Sequence, residues 1–242
     1  MYYGFDYTYI VFVLPAIILS IIAQVLVKSR FSHYDEILSH QNITGAQAAQ
    51  FLLKKNGIYD VVVTHINGKL SDNYNPSTKV LSLSDSTYNS TSIAAIGVAA
   101  HETGHAIQHA IGYKALSLRS TLVPAANIGS RFGPTLAILG IIFGNTAKAA
   151  EMFSIWQLLT NIGLVLFAIA VLFYLITLPV EFDASRRALK ILKATNTLEN
   201  EELKGVRKVL SAAALTYVAS ALTALGSLLR LLILSNSRNS RR

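Results

Sequence analysis

The sequence predicts a mainly α membrane protein, with three to four transmembrane or membrane-embedded helices and a small α+β cytoplasmic domain. Three observations predict it. The 242 residues are 52% hydrophobic and only 14% charged, against about 25% charged in soluble domains. The apolar residues gather into four long blocks, with one long polar stretch after the first. Lys and Arg gather beside these blocks rather than inside them, as they do around membrane spans.

The first block, residues 9–27, carries no charge. At 1.5 Å rise per residue it crosses a hydrocarbon core of about 30 Å with little tilt. Pro15 predicts a kink. No Lys or Arg precedes the block and no small-x-small cleavage site follows it, so an uncleaved anchor with its N-terminus outside is expected.

Residues 31–111 form the polar stretch. Thr44 before a helical pattern, with Asn56-Gly57 after it, predicts a capped helix over 46–55. The β-branched run 60–66 predicts a strand, Asn67-Gly68 a hairpin turn, and the alternating run 79–84 a second strand. Residues 93–111 are apolar and small with no proline, and predict a buried helix.

Three more blocks follow. Residues 121–144 are interrupted by Pro124, Arg131, Gly133 and Pro134, and read as a tilted, re-entrant or interfacial helix. Residues 152–180 carry no charge and are the strongest span; 209–234 are apolar apart from Arg230. The short link at 144–151, whose one basic residue is Lys148, joins the first two of these blocks as a hairpin. The chain therefore divides into an anchor (1–28), a soluble α+β domain (29–120), a membrane hairpin (121–180), a cytoplasmic helix (181–208), and a hydrophobic helix with a basic tail (209–242).

The formal net charge is +8. No basic stripe with interleaved aromatics exists, so nucleic acid is not the expected partner. Membrane lipids are, because excess Lys and Arg flank spans on the cytoplasmic side. Eight basic residues in 28–120 and seven in 181–208 place both stretches in the cytoplasm. The tail residues Arg238, Arg241 and Arg242 would then lie outside, which conflicts with the same rule if 209–234 spans once. There is no cysteine, so a metal site must use His, Asp or Glu.

Residues 101–105, HETGH, supply the chemistry. On a helix, His101 and His105 share a face about 6 Å apart by rise, and two imidazoles there converge on one Zn²⁺. Glu102 lies beside the first ligand and can take a proton from a zinc-bound water. The surrounding helix is apolar, where unpaired polar groups would cost about 2–7 kcal/mol each; a metal removes that cost. A catalytic zinc takes a third protein ligand. His109 lies about 6 Å further along a rigid helix, too far to close on the same ion, and is expected to support the site or to be a structural polar residue. Glu181 and Asp183 follow the strongest span. Alone they read as acids capping the next helix; the incomplete two-histidine site tips the choice to Glu181 as ligand.

Three stretches, 71–76 (SDNYNP), 93–108 (ending HETGHAIQ) and 180–189 (VEFDASRRAL), resemble the neutral zinc metallopeptidases of the YugP-like type, which are bacterial integral membrane proteins. Residues 212–219 add to the likeness, which covers almost the whole chain. More distantly the chain is similar to gluzincin membrane proteases of the HtpX and Ste24 kind. Those have a first span, a cytoplasmic HExxH domain of zincin-like fold, a membrane hairpin, and a glutamate ligand on a later helix. The resemblance implies His101, His105 and Glu181 as zinc ligands, Glu102 as base, and a multi-pass protein of the bacterial plasma membrane. Four residues after the ligand glutamate, those relatives carry an aspartate that orients a zinc histidine; here that position is Ser185.

The expected activity is endopeptidase action on protein or peptide substrates at the membrane surface. Tyr217 and His109, and less so Tyr74, are candidates to stabilise the oxyanion, and Asp183 is a candidate support for the ligands. The strand at 79–84 reads either as an edge that pairs with substrate or as an ordinary internal strand. A non-catalytic membrane scaffold or chaperone-like protein with a structural zinc is the rival reading; it leaves Glu102 without a use. A transporter fits poorly, since the spans offer only Arg131 and Arg230 as ionisable residues.

Overall fold

The structure is a computed structural model that describes residues 7–146 and 150–239. Lys148 of the predicted link and Arg241 and Arg242 of the basic tail lie outside the described residues. Elements follow in the order α1 (Tyr7–Phe12), α2 (Leu14–Asp35), α3 (Gly45–Lys55), β1 (Val62–Ile66), β2 (Asn73–Asn75), β3 (Val80–Ser84), α4 (Ile93–Ala110), α5 (Lys114–Thr146), α6 (Ala150–Ala194) and α7 (Asn200–Asn239). The mainly α expectation holds, and among the described residues four helical stretches are long and apolar enough to cross a membrane. The chain forms two compact units. One comprises Met1–Ile21, Leu118–Thr177 and Tyr217–Arg242; the other comprises Ile22–Ser117 and Leu178–Thr216.

In the first unit, α5 and α6 pack at glycines. A Cβ at Gly133 would stand 2.8 Å from Phe167, and one at Gly163 would collide with the Ala137 backbone. Small residues let helix backbones approach where apolar burial gives no drive toward neighbours. Ala137, Phe167, Ala170, Val171, Ala224 and Leu231 form the buried cluster of this unit. A helix covers 121–144: α5 runs unbroken, with Pro124 and Pro134 inside it. The break near Pro15 falls at Val13, between α1 and α2.

The second unit packs α3, α4, the sheet, and parts of α6 and α7. Helix α3 starts as predicted, at a capping box in which Thr44 accepts from the Gln47 amide and Gln47 returns the bond. Gly57, at φ +71°, follows its end. The strand order is β1-β3-β2, with β1 parallel and β2 antiparallel to β3. One expectation fails here, and one open reading is decided. Asn67-Gly68 does not close a hairpin between neighbouring strands; it turns the chain away from β1, and the Gly68 amide donates to Asp85. The strand at β3 is internal, flanked on both sides, so it has no edge to offer a peptide. The real hairpin turn is at Asn75-Pro76, where the Asn75 side chain accepts from the Ser77 amide at 2.9 Å. Leu81 and Leu83 are fully buried and pack with Ala99, Ala106 and Ile107 of α4.

Candidate metal centre

Helix α4 is held at its start by Ser92, whose hydroxyl accepts from the Ala95 amide at 3.1 Å and donates to Asp35 at 2.7 Å. Its small residues set how near other elements come. A Cβ at Gly104 would lie 2.6 Å from the Ala184 carbonyl oxygen, so α6 passes α4 backbone to backbone one residue before His105. That approach sets Glu181 opposite the two histidines. Glu181 lies inside α6, which continues past Pro179 to Ala194; the helix-capping reading of Glu181 and Asp183 is therefore overturned, because no helix begins there.

The Nε2 of His101 stands 3.2 Å from Glu181 Oε2, and the Nε2 of His105 stands 3.6 Å from the same oxygen. All three ligand atoms lie within 4.8 Å of one another. Donors at about 2.0–2.1 Å from a tetrahedral zinc sit about 3.3–3.4 Å apart, so the separations of 3.2 and 3.6 Å bracket what the ion requires. Two imidazoles and a carboxylate are also the donor types zinc takes. The residues fit the metal.

The other imidazole nitrogens are tied back. His101 Nδ1 lies in hydrogen-bond contact with Ser185 Oγ at 3.1 Å. His105 Nδ1 donates to Gln108 Oε1 at 3.0 Å. Gln108 is fully buried and its Nε2 donates to Val180 O at 2.8 Å and to Asp183 Oδ2 at 2.9 Å. Asp183 in turn accepts from Arg187 Nε at 2.6 Å. These bonds leave both Nε2 atoms for a metal and fix both rings.

Glu102 is 8% exposed. Burial pushes its carboxyl above the ordinary carboxylate range; His105 and His101 pull it down, and Glu181 and Asp72 push it further up. A carboxylate disfavoured by burial accepts a proton more readily than one in water, which suits a base.

Of the remaining predicted residues, His109 stays out of the triad. Its Nδ1 meets the Tyr74 hydroxyl at 2.8 Å. Burial raises the Tyr74 phenol to about 12, so the hydroxyl stays neutral in this contact. Tyr217 falls in the first unit and the triad in the second. Sequence reasoning passed over Gln108 and gave Ser185 no role. Helical spacing carried both signals, since Gln108 lies three residues after His105 and Ser185 four after Glu181.

Residues 9–236 match the family described as "Putative neutral zinc metallopeptidase". The chain is 44% identical over 232 residues to the "Putative membrane protease YugP" of Bacillus subtilis, a match that covers 96% of this chain and 98% of that protein. No solved structure matches the chain.

Proposed function

This chain belongs to the neutral zinc metallopeptidase family, and we propose that it is a membrane-embedded, zinc-dependent endopeptidase with Glu102 as general base. The observation that carries this reading is the convergence of His101, His105 and Glu181 donor atoms within 4.8 Å, beside a buried carboxylate that is not one of them. His101, His105 and Glu181 would hold the zinc. When bound, the ion supplies a Lewis acid that polarises a scissile carbonyl and acidifies water. Glu102 accepts the water's proton and returns it to the leaving amine. The rings of His101 and His105 stay fixed by Ser185 and Gln108 while this happens.

The edge strands beside β3 are β1 and β2, and either can add an extended peptide by backbone pairing. The four apolar helical stretches support a multi-pass protein. The basic residues of 28–120 and 181–208 support a cytoplasmic active site. The domain that carries the triad is read as zincin-like.

Zinc content and peptide cleavage measured on wild type and Glu102→Gln test the proposal. Both should hold stoichiometric zinc, and the variant should lose about 10²–10⁴-fold in rate. Zinc bound without cleavage of any membrane or soluble peptide by the wild type would favour a scaffold with a structural ion. A folded protein that takes up no zinc would remove both readings.

A further inference from the structure

We propose that Gln108 is a positioning residue for zinc: its amide transmits the Asp183–Arg187 ion pair of α6 to His105, so that metal affinity is set by residues outside the ligand set. The inference rests on the zinc reading above and adds to it a residue that the HExxH pattern does not contain.

The argument begins with the amide itself. Gln108 has one acceptor and two donor hydrogens, and it is fully buried. Every part of it is used directionally. The oxygen takes the proton of His105 Nδ1 at 3.0 Å. The nitrogen gives its hydrogens to Val180 O and Asp183 Oδ2 at 2.8 and 2.9 Å. Two acceptors on α6 thus fix which end of the amide is nitrogen, and the amide fixes the tautomer of His105. A neutral ring with its proton on Nδ1 presents Nε2 as a lone pair, which is the form a metal needs.

Asp183 is not an idle end of this chain. It accepts Arg187 Nε at 2.6 Å, one turn further along α6, so its carboxylate is held still while it accepts from Gln108. A carboxylate behind the amide polarises it and makes its oxygen a stronger acceptor. His101 is treated differently, since Nδ1 meets only a hydroxyl, Ser185 Oγ. The two ligands are therefore unequally supported: His105 is backed by a negative charge through one neutral amide, and His101 by a neutral group. Val180 and Asp183 flank the ligand Glu181 on α6, so the same amide that orients His105 also holds the stretch carrying the third ligand.

The test uses the full chain in detergent, with zinc affinity read by competition against a chelator and geometry read from the visible absorption of the Co²⁺ form. Gln108→Leu should weaken zinc about 10–100-fold and alter the Co²⁺ spectrum. Asp183→Asn should weaken it several-fold. If Gln108→Leu does not fold, Asp183→Asn decides. Wild-type affinity and spectrum in Gln108→Leu, or in Asp183→Asn where that variant alone is readable, would overturn the proposal, because a packing role alone would lower thermal stability without moving either reading. Failure of the wild type itself to bind zinc would instead overturn the proposed function.

Discussion

His101 Nδ1 lies 3.1 Å from the Ser185 hydroxyl oxygen, and Ser185 sits one helical turn beyond Glu181, the residue His101 faces through its other nitrogen at 3.2 Å. One turn of α6 thus holds both sides of a single imidazole. Ser185→Ala should leave the fold intact and weaken zinc about 10-fold or more, read by chelator competition. Ser185→Asp should bind zinc more tightly than Ser185→Ala, because a carboxylate raises the basicity of the histidine it accepts from. Equal affinities in all three proteins would deny the contact any role.

Glu181 and His109 make opposite predictions. Glu181→Gln removes the anionic donor and should cost more zinc affinity than the about 10–100-fold typical of a supporting group. His109→Ala breaks only the bond to Tyr74 and should leave zinc stoichiometry unchanged. Metal analysis of the two purified variants separates them; zinc lost from His109→Ala would mean the third ligand is wrongly assigned.

Gly104 is where α4 and α6 meet most closely within the site. Gly104→Ala puts a Cβ 2.6 Å from the Ala184 carbonyl oxygen, a backbone atom that cannot rotate away. A loss of about 1–3 kcal/mol of stability is expected from overpacking, together with zinc loss as Glu181 is pushed back. Gly97→Ala is the control. Its Cβ would lie 2.8 Å from a Val206 methyl of α7 rather than against α6, so thermal unfolding should shift while zinc is retained.

His40 supplies a pH dependence independent of the metal. Its Nδ1 lies 3.3 Å from Glu202 and its amide donates to the same carboxylate at 2.9 Å. The hydrogen bond to Glu202, then Glu199 and the Glu202 charge, raise the His40 pKa above 6.5. A raised folded-state value means the stabilisation is complete below 6.5 and is lost as pH rises through the folded-state value. The melting temperature of wild type should exceed that of His40→Gln in acid and converge with it as pH rises. An advantage for wild type that grows with pH would contradict the assignment.

Much of this was legible in the sequence because it depends on local rules. The α3 cap follows from Thr44 and Gln47 at fixed spacing, and the pairing of His101 with His105 follows from the helical repeat alone. The uncharged runs gave the long apolar helices by length. Other features were not legible because distant segments decide them. Asn67-Gly68 marks a turn, but the partner of β1 depends on where β3 packs. The polar run 71–76 hides β2, whose pairing comes from its neighbour rather than its own propensity. Pro124, Pro134 and Pro179 argue for helix ends, yet α5 and α6 continue through them.

The sequence by itself determined the chemistry available: two imidazoles four residues apart, a carboxylate between them, no thiol, and apolar segments of membrane length. The acid expected to join them, Glu181, was already legible beside the incomplete pair; only the tertiary structure decided how it reaches them and what steadies each ring. That geometry rests on the backbone approach of α4 and α6 at Gly104 and Ala184, which brings Glu181, Asp183 and Ser185 to a helix some eighty residues earlier. Linear spacing cannot show that approach, because it is set by the shape of both helices together.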